Sequence, residues 1–496
     1  MPTNRTAQPE HDACALAAVV ARNGRASAWP LRHAVAALER MAHRAGGTGG
    51  EGDGCGVHVD IPRRLWRDRL RSDVVDSRAF AVAHLAGDDP ERALRSTGLE
   101  LLALVEQDVD LSAIGPDGRD GTPVLWQAAL RVPEDASLLQ AWLTLERSGI
   151  HVASLSRSSC VYKVLGDPST LTSFARDLRH PLFGTRVAVA HSRYSTNTLP
   201  AFERVQPFGR IAHNGEINTI RRLRLELPGL GAQPLPGASD TQDLDLLVAL
   251  LLARGLGLAE VLAMLLPPVR PATPLDRYHR ALIGPVAQGP AALLARSGDM
   301  LCAAVDRLGL RPLWRMRTPG ELWFSSEPGV LNVSELDDEP APLAPGERVV
   351  IDLRRPGARQ PSLSTSLAGA ARRSRFTRPR PGRPAFAPVE PADHDFTRDD
   401  LAMVESMAGT GEEPIGSLGY DGPLAVFEDG ATVSDHFKEE VAVVTNPAID
   451  REREIEQFST RVVLGPRPPI GVADHDRKLP CTELITPLLT GGLRAG

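Results

Sequence analysis

The chain has 496 residues with 42% hydrophobic content, enough for two or three domains with a sizeable core. Its formal net charge of −6 and pI of about 6.1 exclude a global basic field for nucleic acid. The five cysteines (Cys14, Cys55, Cys160, Cys302, Cys481) lie far apart, form no CxxC and show no metal-ligand spacing, a usage that suits a reducing cytosol. No run approaches the roughly 18 apolar residues of a membrane span, and MPTNRTAQPEHDA lacks the apolar core of a secretory signal. The expectation is a cytoplasmic protein with neither a membrane nor a nucleic-acid partner.

Thirteen polar, unpatterned residues lead to Cys14, which opens the run CALAAVVA. Composition allows this run to be strand or helix, and by itself Cys14 reads as a small buried hydrophobe. Residues 30–43, PLRHAVAALERMAH, predict a helix: Pro30 suits the first turn, and Leu31, Val35, Leu38 and Met41 form an apolar stripe. The glycine-rich stretch HRAGGTGGEGDGCG has no GxxxxGK[ST] pattern and is acidic at Glu51 and Asp53, so it reads as a tight loop, not a phosphate cradle. GVHVDI after it alternates as a strand does. Residues 64–185 predict strands at FAVAHLA, PVLWQAALRV, HVASLS and CVYKVLG. They predict helices at PERALRSTGLELLALVE, ASLLQAWLTLERSG and STLTSFARDLRH, hence a layered α/β or α+β domain. Cys160 falls inside an apolar run and reads as core.

Two short apolar runs, RVAVA and RIA, then end in polar clusters, His191-Ser192-Arg193-Tyr194-Ser195-Thr196-Asn197 and His213-Asn214-Gly215-Glu216. A guanidinium such as that of Arg193 takes a carboxylate in a bidentate fork. An Asn side chain next to a Gly N–H offers two donors to a developing oxyanion. Such clusters are either a binding site for a small polar ligand or ordinary polar turns. His191 and His213 invite a general-base reading, set against a structural one. In GASDTQDLD, Ser239-Asp240 reads as a helix N-cap before an apolar run.

HSRYSTNT followed by AHNGEINT resembles the amidotransferase domain of glutamate synthase, a class II glutamine amidotransferase of the N-terminal-nucleophile hydrolase type. The resemblance implies an α+β fold, a four-layer αββα sandwich, with a smaller α/β fragment at the C-terminal end. It implies that residues 1–13 are a propeptide whose removal makes Cys14 the first residue, its α-amine the general base for its thiol. Ala15 stands where glycine is common in that family. The resemblance makes Arg193 the clamp for the substrate's α-carboxylate and Asn214 and Gly215 the oxyanion hole. Asp240 becomes the partner of the α-amino group, while Thr196 and Ser195 order the Arg193 loop. With an α-amine as base, His191 and His213 become structural; His43, Arg44 and Asp53 become support around the site.

The resemblance continues through GPVAQGPAALLARSGDMLCAAVDRLGLRPLW, where AALLA and MLCAAV read as paired strands and Asp306, Gly309 and Arg311 belong to a DRxGLRP core, and on to SSEPGV. Residues 354–400 are a Pro- and Arg-rich linker. From about Glu412 to Leu489 the chain resembles the start of the glutamate synthase central domain. The expected organisation is propeptide 1–13, amidotransferase domain 14–353, linker 354–400 and partial central domain 401–496. The family's FMN-binding barrel and its iron–sulfur cysteines have no counterpart here, so no cofactor is expected in this chain, and both groups are expected on a separate synthase partner that receives ammonia. The alternative is a catalytically weak glutamine-binding or regulatory module of the same family. A hydrolase of another amide fits less well, because Arg193 and Asp240 together read an α-amino acid head group.

Overall fold

The structure, a computed structural model, describes residues 14–48, 51–193, 201–235, 237–266, 288–306 and 309–356, with Ala402, Glu405, Ser406 and Gly409 and two short strands beyond. Residues 1–13, Thr196, and most of 354–400 and 401–496 lie outside the described residues.

The strands are β1 (Ala15–Ala21), β2 (Gly47–Thr48), β3 (Glu51–Gly52), β4 (Cys55–Asp60), β5 (Phe80–Ala86), β6 (Glu100–Glu106), β7 (Leu125–Arg131), β8 (His151–Ser156), β9 (Ser159–Val164) and β10 (Val187–Ser192). They continue with β11 (Ile211–Gly215), β12 (Ala291–Ser297), β13 (Met300–Val305), β14 (Trp314–Arg317), β15 (Glu321–Ser325), β16 (Ala341–Pro342), β17 (Arg348–Asp352), β18 (Val462–Leu464) and β19 (Thr482–Leu484). The helices are α1 (Trp29–Arg40), α2 (Arg63–Leu70), α3 (Pro90–Arg95), α4 (Pro116–Asp120), α5 (Leu138–Arg147), α6 (Pro168–Phe174), α7 (Ile220–Glu226), α8 (Asp240–Ala253) and α9 (Leu258–Leu265).

The run after Cys14 is a strand, and it occupies the middle of a seven-stranded antiparallel sheet ordered β16-β14-β15-β1-β10-β4-β9. Every residue of β1 is buried, because both faces of its sheet are covered; that is why ALAAVVA shows no alternation. On one face, Leu16, Ala18, Val20 and Val189 pack against Ala212, Leu294, Ala303 and Ile351 of a four-stranded sheet ordered β11-β12-β13-β17. On the other, Ala17, Val19, Val57 and Val59 meet Leu31, Ala34 and Leu38 of α1 and Leu171 and Phe174 of α6. The outer face of the four-stranded sheet buries Ile211, Leu293 and Ala304 under Leu247 and Leu251 of α8 and Val261 and Leu265 of α9. Helices, sheet, sheet, helices: the architecture is α+β in four αββα layers.

Between β4 and β9 the chain builds a third sheet, β6-β7-β5-β8. Here the structure corrects the expected helix PERALRSTGLELLALVE. Only Pro90–Arg95 is helical; Gly98 at φ +74° turns the chain, and Glu100–Glu106 pairs with β7. A register shift between Leu101 and Ala103 breaks the period-two pattern, so LLALV carries no strand signature that sequence reading detects.

The alternation of GVHVDI is real but separates two buried layers, not core from solvent. Val57 and Val59 face the helices. Asp60 turns to the other side, where it takes Arg296 of β12 and, at 3.0 Å, Arg186. Burial alone would raise the Asp60 carboxyl; the Arg296 and Arg186 guanidiniums bring it down to about 2. Within 401–496, β18 and β19 pair antiparallel; the rest of the expected α/β fragment lies outside the described residues.

Candidate functional site

The site is built at one end of β1. The β1–β10 ladder runs to Ala15 opposite Ser192, and one further step sets Cys14 beside Arg193. The glycine-rich loop wraps this strand end: the Arg193 N–H donates to the Gly54 carbonyl at 2.8 Å, Gly46 N–H donates to the Arg193 carbonyl at 3.0 Å, and Asp53 N–H to the Gly46 carbonyl at 2.9 Å. Arg193 is buried. Burial lowers its pKa; the charges of Asp53, Cys14 and Asp240 pull it back up, against Arg204. Those three groups therefore lie within electrostatic range of the guanidinium. Cys14 itself is half-buried. Ala15 is a fully buried strand residue packed on the helix side of the sheet.

The second wall is β11, the edge strand of the four-stranded sheet. Arg296 N–H donates to the Arg210 carbonyl at 2.7 Å and Glu216 N–H to the Pro290 carbonyl at 3.0 Å. By the alternation of an antiparallel ladder, the backbone groups of Ile211, His213 and Gly215 then point off the sheet's edge. Two of these outward N–H groups are met by side chains: Ile211 by Asp245 at 3.1 Å and His213 by Gln206 at 2.7 Å. The third, that of Gly215, is directed off the same edge. Gly215 is required at this point: its φ is +144° and a Cβ would lie 1.8 Å from the Pro290 oxygen. Asn214 faces the other sheet, where its Nδ2 donates to Ser326 Oγ at 3.3 Å.

The third wall is the start of α8. Ser239 is the N-cap, in a reciprocal capping box with Gln242. Asp240 is the first helical residue; its Oδ2 accepts from Ile217 N–H at 3.1 Å and its Oδ1 from Thr241 N–H at 2.6 Å. It therefore ties the chain leaving β11 to the helix while adding negative charge at a helix N-terminus.

Sequence reading did not single out Glu216. Its carboxyl is raised by burial and by Asp240 and drawn back by Arg311, so it shares one electrostatic environment with both. The signal was adjacency within HNGE. Ser326 was also missed as a contact residue, though SSEPGV marked its segment.

Both histidines are buried. His191 Nε2 lies 3.2 Å from the His213 carbonyl, and His213 Nδ1 lies 3.1 Å from Thr241 Oγ1. Burial first, then the neighbouring His213 and Arg193, bring the His191 pKa down to about 3; burial lowers that of His213. His43, at 2.7 Å, and Arg44 both pair with Glu327, just past β15. Asp53 is buried at the strand end, and Thr196 lies outside the described residues.

Among the described residues, no three His, Cys, Asp or Glu side chains come together as metal ligands, and no helix is long and apolar enough to cross a membrane. A cleft of about 380 Å³, open mouth included, lies away from Cys14 between α5 and α8. Its polar groups already have partners, Arg210 with Asp245 and Glu146 with His151, so the strand end at Cys14 is the better candidate.

The sequence model of the class II glutamine amidotransferases matches residues 14–225 and 232–360, and that of the glutamate synthase central domain matches residues 392–494. The chain is 28% identical to the glutamate synthase [NADPH] large chain of Azospirillum brasilense over 92% of this chain and 35% of that one. It is 29% identical to ferredoxin-dependent glutamate synthase 2 of Synechocystis sp. over 92% of this chain and 34% of that one. It thus spans about a third of the length of these relatives. Among solved structures, the glutamine phosphoribosylpyrophosphate amidotransferase from B. subtilis is similar at 17% identity over 60% of this chain and 47% of that one, with a TM-score of 0.30.

Proposed function

Because the chain belongs to the class II glutamine amidotransferases, we propose that it hydrolyses glutamine to glutamate and ammonia through a thioester on Cys14. The observation that carries this reading is the β1–β10 register, which sets Cys14 beside the buried Arg193, with Asp53 and Asp240 within electrostatic range of its guanidinium. A carboxylate clamp, an anion for an ammonium and a thiol within one field suit an α-amino acid whose side chain reaches the sulfur.

Removal of residues 1–13 frees the Cys14 α-amine, with an ordinary pKa of about 8, to take the thiol proton. The sulfur attacks the side-chain amide carbon, and the tetrahedral oxyanion is held by Asn214 Nδ2 and the Gly215 N–H. The α-ammonium returns its proton to the leaving nitrogen and ammonia departs. Water then attacks the thioester, with the α-amine again as base, and releases glutamate. Arg193 takes the substrate's α-carboxylate, Asp240 its α-ammonium, and Thr196 orders the Arg193 loop. A separate cytoplasmic synthase partner, carrying FMN and an iron–sulfur cluster, receives the ammonia, and the central-domain segment is the docking surface of this oxidoreductase complex.

Intact mass together with glutamate release tests the reading. A mass short by residues 1–13, and glutaminase activity abolished by Cys14→Ala, support it. Full-length mass with no hydrolysis, even with a synthase partner added, leaves a glutamine-binding or regulatory module.

A further inference from the structure

We infer that Ser326 is a positioning residue for the chemistry at Cys14: its hydroxyl orients the Asn214 amide relative to strand β1. The inference rests on the glutaminase reading above and deepens it.

Ser326 directly follows β15 and is fully buried. Its N–H donates to the Leu16 carbonyl at 2.9 Å, and Leu16 N–H donates back to Ser326 Oγ at 3.1 Å. The β1–β15 ladder therefore closes on a side-chain oxygen, two residues from Cys14. The same Oγ accepts from Asn214 Nδ2 at 3.3 Å. One oxygen atom thus joins the strand that carries the sulfur to the edge strand of the opposite sheet. Elsewhere these sheets meet through apolar contacts such as Leu16, Ala212 and Ala292, through the Asp60–Arg296 ion pair and through His191 Nε2 at the His213 carbonyl.

Apolar contact resists separation, but it does not orient an amide. The terminal torsion of Asn is broad, and its oxygen and nitrogen ends are nearly the same shape. A hydrogen bond to one end decides between them. Ser326 Oγ engages one Nδ2 hydrogen and leaves the other for the tetrahedral oxygen. Without that acceptor the amide is free to present its own oxygen, which repels an oxyanion.

The test compares glutamine hydrolysis by the processed wild type, Ser326→Ala, Asn214→Ala and the double variant. Ser326→Ala is expected to lose roughly 10–100-fold in kcat with KM little changed, and Asn214→Ala roughly 100–1,000-fold. The double variant should lose no more than Asn214→Ala alone, because Ser326 acts through the amide. Alkylation of Cys14 by iodoacetamide, a displacement of iodide with no oxyanion, should proceed at the wild-type rate in Ser326→Ala. Ser326→Thr, which keeps the hydroxyl, should recover most of the lost kcat, with melting temperatures confirming that each variant is folded. Multiplicative losses in the double variant, alkylation slowed in parallel with hydrolysis, or a folded threonine variant as slow as the alanine one would each overturn the inference. A processed wild type that releases no glutamate fails at the earlier step and takes both readings down.

Discussion

Gln206 holds the backbone of His213 at both ends. Its Oε1 accepts from the His213 N–H at 2.7 Å, and its Nε2 donates to the His213 carbonyl at 3.2 Å. The side-chain amide does for the exposed edge of β11 what a further strand would do. At Ile211 the work is divided: the Asp245 carboxylate accepts from its N–H at 3.1 Å and the Phe208 N–H donates to its carbonyl at 2.8 Å, and the next outward N–H is that of Gly215. The edge is thus saturated up to the point where a ligand is expected.

Gln206→Ala leaves a buried N–H without its acceptor and removes one of the two donors to the His213 carbonyl. Stability should fall by about 2 kcal/mol, read as a lower urea midpoint at unchanged m-value. Because Gly215 is two residues along the same strand, kcat for glutamine should fall as well. A variant of wild-type stability shows that water replaces the side chain.

Gly215→Ala places a methyl group where the Pro290 oxygen stands, 1.8 Å from the ideal Cβ position. The backbone must shift, and the N–H moves with it. Loss of one oxyanion donor costs roughly 100–1,000-fold in kcat. The same variant should melt at a lower temperature; normal melting and normal kcat together remove Gly215 from the site.

Lys163 is a buried cation beside His151 Nε2 at 3.2 Å, with its ammonium over the Phe208 ring. Burial lowers its pKa to about 7, opposed by Glu146, Glu203 and Asp245. The folded-state value lies below the unfolded one, so the unfolded chain binds more protons between the two. The penalty is fully present below about pH 7 and is relieved as pH rises from there towards 10.5. Wild-type stability, relative to Lys163→Met, should therefore rise by up to about 1.4 kcal/mol per pH unit across that window. Taking the difference cancels the opposite slope from the raised thiols of Cys55 and Cys160. A difference that stays flat from pH 7 to 10 overturns this account.

His191, held near a pKa of about 3, is too weak a base for the thiol at neutral pH. The acid limb of kcat/KM should persist in His191→Asn, because the α-amine sets it. If the limb disappears in that variant, the base is the histidine.

Several features were legible in the sequence because they are local. Strand ends closing in HSR and HNGE, and Ser239 before an apolar run, each depend on neighbours within a few residues. The strands AALLA and MLCAAV were legible for the same reason: their turn at Gly298 fixes their pairing. The error at Glu100–Glu106 has the converse cause. Its Leu-rich run favours helix locally, and only pairing with β7, some 25 residues on, makes it a strand.

What the sequence determined by itself was the family, the order of the site motifs and the residue types at the strand ends, since these are properties of the chain read along its length. Tertiary structure decided everything that depends on distance across it. It set Cys14 opposite Arg193 through an antiparallel register, brought Ser326 to within a hydrogen bond of Asn214, and turned the VHVD alternation into two buried layers, one of them charged. Register and sheet packing join residues hundreds of positions apart, and no local pattern encodes that distance.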